Sequence, residues 1–497
     1  MKRLKANNYR LIYGIFIVFY LWMAAQVPYA YDDWDWGISN GIEQLLYATV
    51  NARYAGNFFV VIMTRSQILK TLIMGAGYFL IPYGLAFFAV MDQTVNQQEQ
   101  KLCAFLLANI LFFTMCREIW RQTYGWVAGF ANYSVSAVFM LVWIREIKLT
   151  FLPESEKSHV SVRELLVCVT TSFLGQMFLE NLAIFTVLLG LFLCVARFVK
   201  NQKIPMKTML MLLGAILGLL VVFSCKLYGS LWSTGEAVGG YRNLSVGNQY
   251  SLTTTIYMLL SQAALLAPLI FEENIVQCLL ILGLLSILLL QRMPKKTYAY
   301  ILCGMNGFFA VCFLYCFVRG STTVEFGKFV PLVINGAFFL TVAAETVLLL
   351  YRDKSSLGVA LTAWFSVPGV ILPLVFTLET SYRLFFTSNT FMTLFAIILL
   401  QQMKAPGSLR RAKILFLTGA LLLMCSYGYV YHAIGVCKRE RDALMEQATK
   451  ENASSVTLPG YPFAEYLWVP NPVGEKRQGY FRSFYNLPED IEIHIQF

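Results

Sequence analysis

The sequence predicts an all-α polytopic membrane protein of about 13 transmembrane helices. An interfacial helix sits in its first outer loop, and a small α+β or mostly irregular cap closes its C-terminal outer end. Three observations predict this. Of 497 residues, 58% are hydrophobic and 13% charged, about half the charge of a soluble domain at roughly 25%. The apolar residues gather in runs near the ~20 that a helix needs to cross a bilayer. Lys plus Arg number 39 against 28 for Asp plus Glu, and the basic residues collect on alternate connections, as cytoplasmic loops require. A cytosolic enzyme, a disordered regulator, a disulfide scaffold and a nucleic-acid binder are all disfavoured.

The runs lie at 11–30, 71–91, 102–116, 126–144, 164–180, 182–199, 207–225, 275–291, 298–317, 329–350, 357–377, 384–402 and 412–432. Lys2, Arg3, Lys5 and Arg10 precede the first, which places the N-terminus in the cytoplasm. A cleaved signal peptide ending at Pro28-Tyr29-Ala30 is the alternative, but the long apolar core favours an uncleaved anchor. With 13 spans, inner segments hold 22 of the 39 basic residues, outer loops 10 and the C-terminal tail 7. The stretch 251–270 is expected not to cross. Counting it as a span would put Arg292, Lys295 and Lys296 outside, so it reads as a re-entrant or surface helix ending near Pro268, in a long outer loop 226–274. The domains expected are a membrane domain 1–432, with its first outer loop at 31–70, and an extracytoplasmic cap 433–497.

Ten of the 11 cysteines lie in or beside apolar runs, which offers neither a disulfide framework nor a zinc cluster. Cys312 and Cys316, at i, i+4, read as packing residues. His159, His432 and His494 are too scattered for a metal site or a triad, so no metal ligands are assigned.

Chemistry concentrates in the outer segments. After the first run comes Tyr31-Asp32-Asp33-Trp34-Asp35-Trp36. Like charges this close raise one another's pKa, which suits a proton acceptor or a cation ligand. A solvated acidic turn in an interfacial Trp belt is the plain alternative. Ile38, Ile42, Leu45 and Leu46 then fall on one helical face with Asn40, Glu43 and Gln44 opposite, the pattern of a helix lying in the interface. It leads into Asn51-Ala52-Arg53-Tyr54-Ala55-Gly56-Asn57, whose Arg53 either holds a phosphate or neutralises the acids. Between the third and fourth runs stand Arg117, Trp120, Arg121, Tyr124 and Trp126, with Asn132 and Tyr133 beyond. Aromatic rings among charges and amides suit a sugar, whose C–H faces stack while its hydroxyls find polar partners. Glu180-Asn181 interrupts an apolar stretch, and a carboxylate at that depth is a functional candidate. Tyr241 and Arg242 follow paired glycines in the long outer loop, and Arg383 opens the twelfth run. Arg242 and Arg383 are the phosphate candidates, because guanidinium grips phosphate bidentately. The last seven residues, Ile491 to Phe497, alternate as a half-buried strand.

An N-terminal span followed at once by an acidic pair, an interfacial helix and many further spans resembles the GT-C superfamily of membrane glycosyltransferases. Within it, the chain is most similar to a bacterial group allied to the O-antigen glucosyltransferases. The matching elements are Tyr31-Asp32-Asp33-Trp34, the segment Ala52–Asn57, Tyr124-Gly125-Trp126 with Asn132-Tyr133, Glu180-Asn181, and Gly479-Tyr480-Phe481-Arg482 with Tyr485–Pro488. The resemblance implies transfer of a sugar from a polyprenyl-phosphate donor to a cell-surface glycan or lipid acceptor, on the extracytoplasmic face of the cell membrane. It implies Asp32 as general base, with Asp33 or Asp35 tuning it or holding an ion. The pair is Asp-Asp rather than the Asp-Glu common in the superfamily. No second acidic motif follows, so a divalent cation is not favoured and no cofactor is assigned. A flippase or transporter of lipid-linked glycans would place acids along a path through the bilayer, but Glu345 is the only one well inside a run. An O-antigen-type polymerase or ligase would carry its densest polar loops late in the chain.

Overall fold

A computed structural model describes residues 2–48, 51–91, 97–152, 161–225, 228–229, 251–319, 329–377, 381–403 and 408–496. Among them, 11 helices are long and apolar enough to cross a membrane, or 12 if one bent pair counts as a span. They are Tyr9–Gln26, Gln67–Ala89, Val127–Phe151, Glu180–Asn201, Met206–Phe223, Leu252–Arg292, Lys296–Val318, Val330–Leu350, Lys354–Phe376, Tyr382–Gln401 and Arg411–Lys450. The bent pair is Gln97–Phe113 with Arg117–Thr123, which meet at 95°. The difference from 13 runs is one of length. The run at 164–180 forms the helix Val162–Gly175, 14 residues, or about 21 Å at ~1.5 Å per residue, short of a ~30 Å hydrocarbon core.

Two boundaries differ from expectation. Residues 251–270 do not turn back at Pro268. The helix Leu252–Phe271 passes through it and continues, by a short 3-10 turn at Glu272–Asn274, into Ile275–Arg292, one helical run of 41 residues. Pro268 removes a single N–H, which the run tolerates. Likewise the last helix does not end at residue 432 but runs Ser408–Lys450 without a break. Its apolar character stops there while good helix formers continue, so hydropathy ends one element early. This rod of 43 residues, about 65 Å long at ~1.5 Å per residue, joins the bundle to the cap.

The bundle core runs from Phe16, Tyr20 and Met23 of the first helix through Tyr78, Phe105 and Phe112 to Trp364 and Phe395. Helix Phe386–Gln401, buried on nearly every side, lies at its centre. The predicted interfacial helix is Ser39–Tyr47, and it leaves Ile42, Leu46 and Tyr47 exposed.

In the cap, β1 (Ser455–Pro459) pairs in parallel with β2 (Glu492–Gln496), Ser455 opposite Glu492 and Pro459 opposite Gln496. Helix Glu475–Tyr485 adds Phe481 to the same core as the pair. The inward residues Val456, Leu458, Phe481, Leu487, Ile491 and Ile493 pack with Met445 of the long helix and with Trp34 of the acidic motif. Trp34 meets the Phe481 ring edge-on at 5.1 Å. At Gly37 an added Cβ would fall 2.1 Å from the Phe484 ring. The cap core thus includes the tryptophan at the centre of the acidic motif.

Candidate functional site

The chain bends sharply after its first helix. Tyr31 takes a left-handed backbone (φ 56°), and Asp33–Gly37 form a single helical turn. Arg65 holds the end of that turn, donating to the Trp36 carbonyl at 2.8 Å. The three acids then part company. Asp33 is fully buried and accepts from the backbone N–H of Ala30 at 2.9 Å and of Ala128 at 2.8 Å. It clamps the motif to the start of helix Val127–Phe151. Burial, with Asp32 beside it, holds its carboxyl well above the usual carboxylate range, although both backbone bonds and the Lys70 charge pull it down. Lys70 is itself buried, donating to the Val27 carbonyl and lying 4.8 Å over the Tyr29 ring. Asp35 accepts from Asn40 and Gln44 at 2.9 Å each, which fixes helix Ser39–Tyr47 beneath it.

Asp32 is the member of the trio that still meets solvent and has a charged side chain opposite. Its Oδ1 accepts from Trp126 Nε1 at 3.1 Å. Burial pushes its carboxyl up to about 7, against the pull of the Arg383 guanidinium and the Trp126 hydrogen bond, with Asp35 adding to the rise. Arg383 lies 5.5 Å over the Trp126 ring and donates through Nε to the Tyr133 hydroxyl at 2.9 Å. Arg53 donates to the same hydroxyl at 3.3 Å. Two guanidiniums therefore share one phenol.

Arg53 does not neutralise the acidic trio. It forms a two-pronged ion pair with Glu180, Nη2 to Oε2 at 2.9 Å and Nε to Oε2 at 3.2 Å, and Tyr228 donates its hydroxyl to Glu180 Oε1. Arg383 is held from behind by Gln122, whose Oε1 accepts from Ser381 Oγ at 2.9 Å and from the Arg383 N–H at 3.4 Å. Asp32, Trp126, Arg383, Tyr133, Arg53 and Glu180 make one connected polar chain at one end of the bundle.

Other candidates sit elsewhere. Trp120 and Tyr124 belong to the packed core. Trp120 donates to the Tyr431 hydroxyl at 2.8 Å and stacks near Phe113 and Tyr427, while Tyr124 packs on Tyr78 and Phe386. Asn181 ties to the Val370 carbonyl at 3.0 Å. Asn132 donates to the Ala128 carbonyl and packs under Gly56, where a Cβ would meet its Oδ1 at 2.1 Å. Tyr241 and Arg242 lie outside the described residues.

Arg117 and Arg121 face the cap rather than Asp32. Residues 460–473, between β1 and helix Glu475–Tyr485, run past Gly125 and Trp126 as a strap. Arg441 anchors it, bonding Asn471 Oδ1 at 2.7 Å and lying 4.4 Å over the Tyr461 ring. The strap sits so tightly on Gly125 that a Cβ there would lie 2.0 Å from the Tyr466 carbonyl oxygen. It delivers Trp468, whose ring stands 6.1 Å from both Trp126 and Tyr31. Trp468, Arg477, Gln122, Lys70 and Tyr228 were not singled out by sequence reasoning. Gln122 and Lys70 carried a faint signal, a polar residue in an aromatic run and a lone cation at the start of a span; the tail residues carried none, because only folding over some 340 positions brings them to residue 126.

Among the described residues, no three of His, Cys, Asp and Glu come together as a metal site. No family model, curated protein or solved structure matches the chain.

Proposed function

We propose that the protein is a membrane glycosyltransferase, with its site on the extracytoplasmic face and its N-terminus in the cytoplasm. It moves a sugar from a polyprenyl-phosphate donor to a cell-surface glycan or lipid. The observation that carries this reading is the opposition of a half-buried carboxylate, Asp32, to Arg383 across Trp126, with Arg53 sharing the Tyr133 hydroxyl behind it. Such a site offers a base on one side and cations on the other. The acceptor hydroxyl loses its proton to Asp32 as its oxygen bonds to the anomeric carbon. The bond from that carbon to the phosphate oxygen breaks, and its electron pair stays on the phosphate, which the guanidiniums stabilise. Asp33 and Asp35, occupied by their own hydrogen bonds, position Asp32 rather than react.

The test is a transfer assay on the full-length protein in proteoliposomes, using radiolabelled polyprenyl-phosphate sugars and isolated surface polymers. One added sugar per acceptor supports the transferase. A ladder of products identifies a polymerase, and movement of intact carrier between leaflets without bond change identifies a flippase. A general base works only when ionised, so transfer rises with pH along a limb near pH 7, set by the Asp32 carboxyl.

Arg383 supplies a second prediction. Its charge pulls the Asp32 carboxyl down, so Arg383→Gln moves that limb to higher pH as well as lowering kcat. A lower kcat with the limb unmoved would mean that Arg383 acts on the leaving group alone.

A further inference from the structure

At the seam between the strap and helix Arg117–Thr123, two donors are closed off from solvent without an acceptor among the described residues. They are Nε of Arg121 and the indole Nε1 of Trp468. Both belong to one stacked pair, since the Arg121 guanidinium lies 5.1 Å over the Trp468 ring. Folded proteins leave few buried donors unsatisfied, and two on one seam point to an acceptor that a ligand brings.

The surroundings define the charge of that acceptor. Arg117 lies 5.3 Å over the Tyr466 ring, Arg477 4.2 Å over Tyr31, and Arg383 5.5 Å over Trp126. Stacking fixes a guanidinium while leaving its N–H edge open to an acceptor in its own plane. Among the described residues, Glu118 on Arg121 is the only carboxylate in an ion pair with any of these four arginines. The seam therefore carries an excess of positive charge. The backbone beside it is held away from its relaxed geometry: Val469, next to Trp468, has φ 41°, and Tyr31 has φ 56°, a region costly for β-branched and bulky residues.

We infer that this seam is an oxyanion subsite, in which Arg121 Nε and Trp468 Nε1 grip a phosphate oxygen of a substrate lying beside Asp32. Arg477 and Arg117 supply the surrounding field. The inference rests on the transferase reading only for what the phosphate is attached to. That phosphate belongs either to the donor's carrier or to a phosphate-bearing acceptor chain.

The test uses the full-length protein in phosphatidylcholine nanodiscs, titrated calorimetrically with sn-glycerol 3-phosphate and, separately, with glycerol. Saturable binding of the phosphate ester, weakening as salt is raised, with no heat from glycerol, is the expected result. Trp468→Phe keeps the ring and removes the N–H; Arg121→Gln removes the charge. Each is expected to weaken binding at least about tenfold, or ~1.4 kcal/mol. Ligand-free thermal midpoints confirm that the variants fold; if neither does, Arg477→Gln, at a partly exposed position, takes their place with the same expected weakening. Equal heats from glycerol, or folded variants that bind as tightly as the parent, overturn the subsite. Nanodiscs doped with polyprenyl phosphate separate the sources, since competition assigns the subsite to the donor and independent binding to the acceptor. This result stands apart from turnover: failure of the unaltered protein to transfer any sugar removes the transferase reading but leaves the binding result intact, and the reverse also holds.

Discussion

Replacing Asp32 with asparagine is expected to lower sugar transfer by about 100- to 10,000-fold, the usual worth of a positioned general base, while the protein still inserts and accumulates. The amide has nearly the same shape, and its Oδ1 can still accept from Trp126 Nε1 at the 3.1 Å seen for the carboxylate. What it cannot do is take a proton. The pH profile carries the sharper evidence: the limb near pH 7, set by the burial of the Asp32 carboxyl, disappears in the variant, leaving a low and flat residue of activity. The measurement is the transfer rate from pH 5 to 9, set beside the quantity of folded protein. Full glycan modification by Asp32→Asn, or an unchanged acid limb, would remove Asp32 from the chemistry.

Asp33→Ala is expected to act on folding instead. Its two oxygens accept the backbone N–H groups of Ala30 and Ala128 at 2.9 and 2.8 Å in a fully buried setting. Alanine leaves both donors without an acceptor and takes away the carboxylate whose field reaches buried Lys70. Unsatisfied buried donors cost about 1–3 kcal/mol each, so a loss of ~2–5 kcal/mol is expected. That corresponds to a thermal midpoint about 4–10 °C lower at ~2 °C per kcal/mol for a large domain. The contrast between the neighbours is the diagnostic. Whatever Asp33→Ala folds should keep the limb near pH 7, whereas Asp32→Asn should keep its stability and lose the limb. An Asp33→Ala protein as stable as the parent would show that the clamp between the acidic turn and residue 128 contributes nothing.

Much of the architecture could be read from residue order alone, because hydropathy is a local property. A run of about 20 apolar residues must become a helix in lipid, where every backbone group needs an internal partner. The same reasoning fails at two kinds of place. It misjudges a short run such as Val162–Gly175, whose apolar neighbourhood outlasts its helix, and a long rod such as Ser408–Lys450, whose helix outlasts its apolar stretch. It also took Pro268 as a stop, which a helix buried among partners does not obey.

At the site, the order of residues determined which groups are chemically able: the acids at 32, 33 and 35, the cations at 53 and 383, the aromatic run before residue 127. It could not rank them. Three carboxylates within four positions look alike until the fold gives Asp33 two backbone amides, Asp35 two side-chain amides, and Asp32 an indole with an arginine above it. Nor could it separate Trp120, which fills the core, from Trp126, which borders Asp32. Arg53 meeting Glu180, and Trp468 reaching Trp126 from the far end of the chain, were decided by the tertiary structure alone. The physical reason is range. Propensity and hydropathy act over a few residues, whereas hydrogen bonds and the burial of charge depend on whichever distant segment the packing brings within about 3 Å.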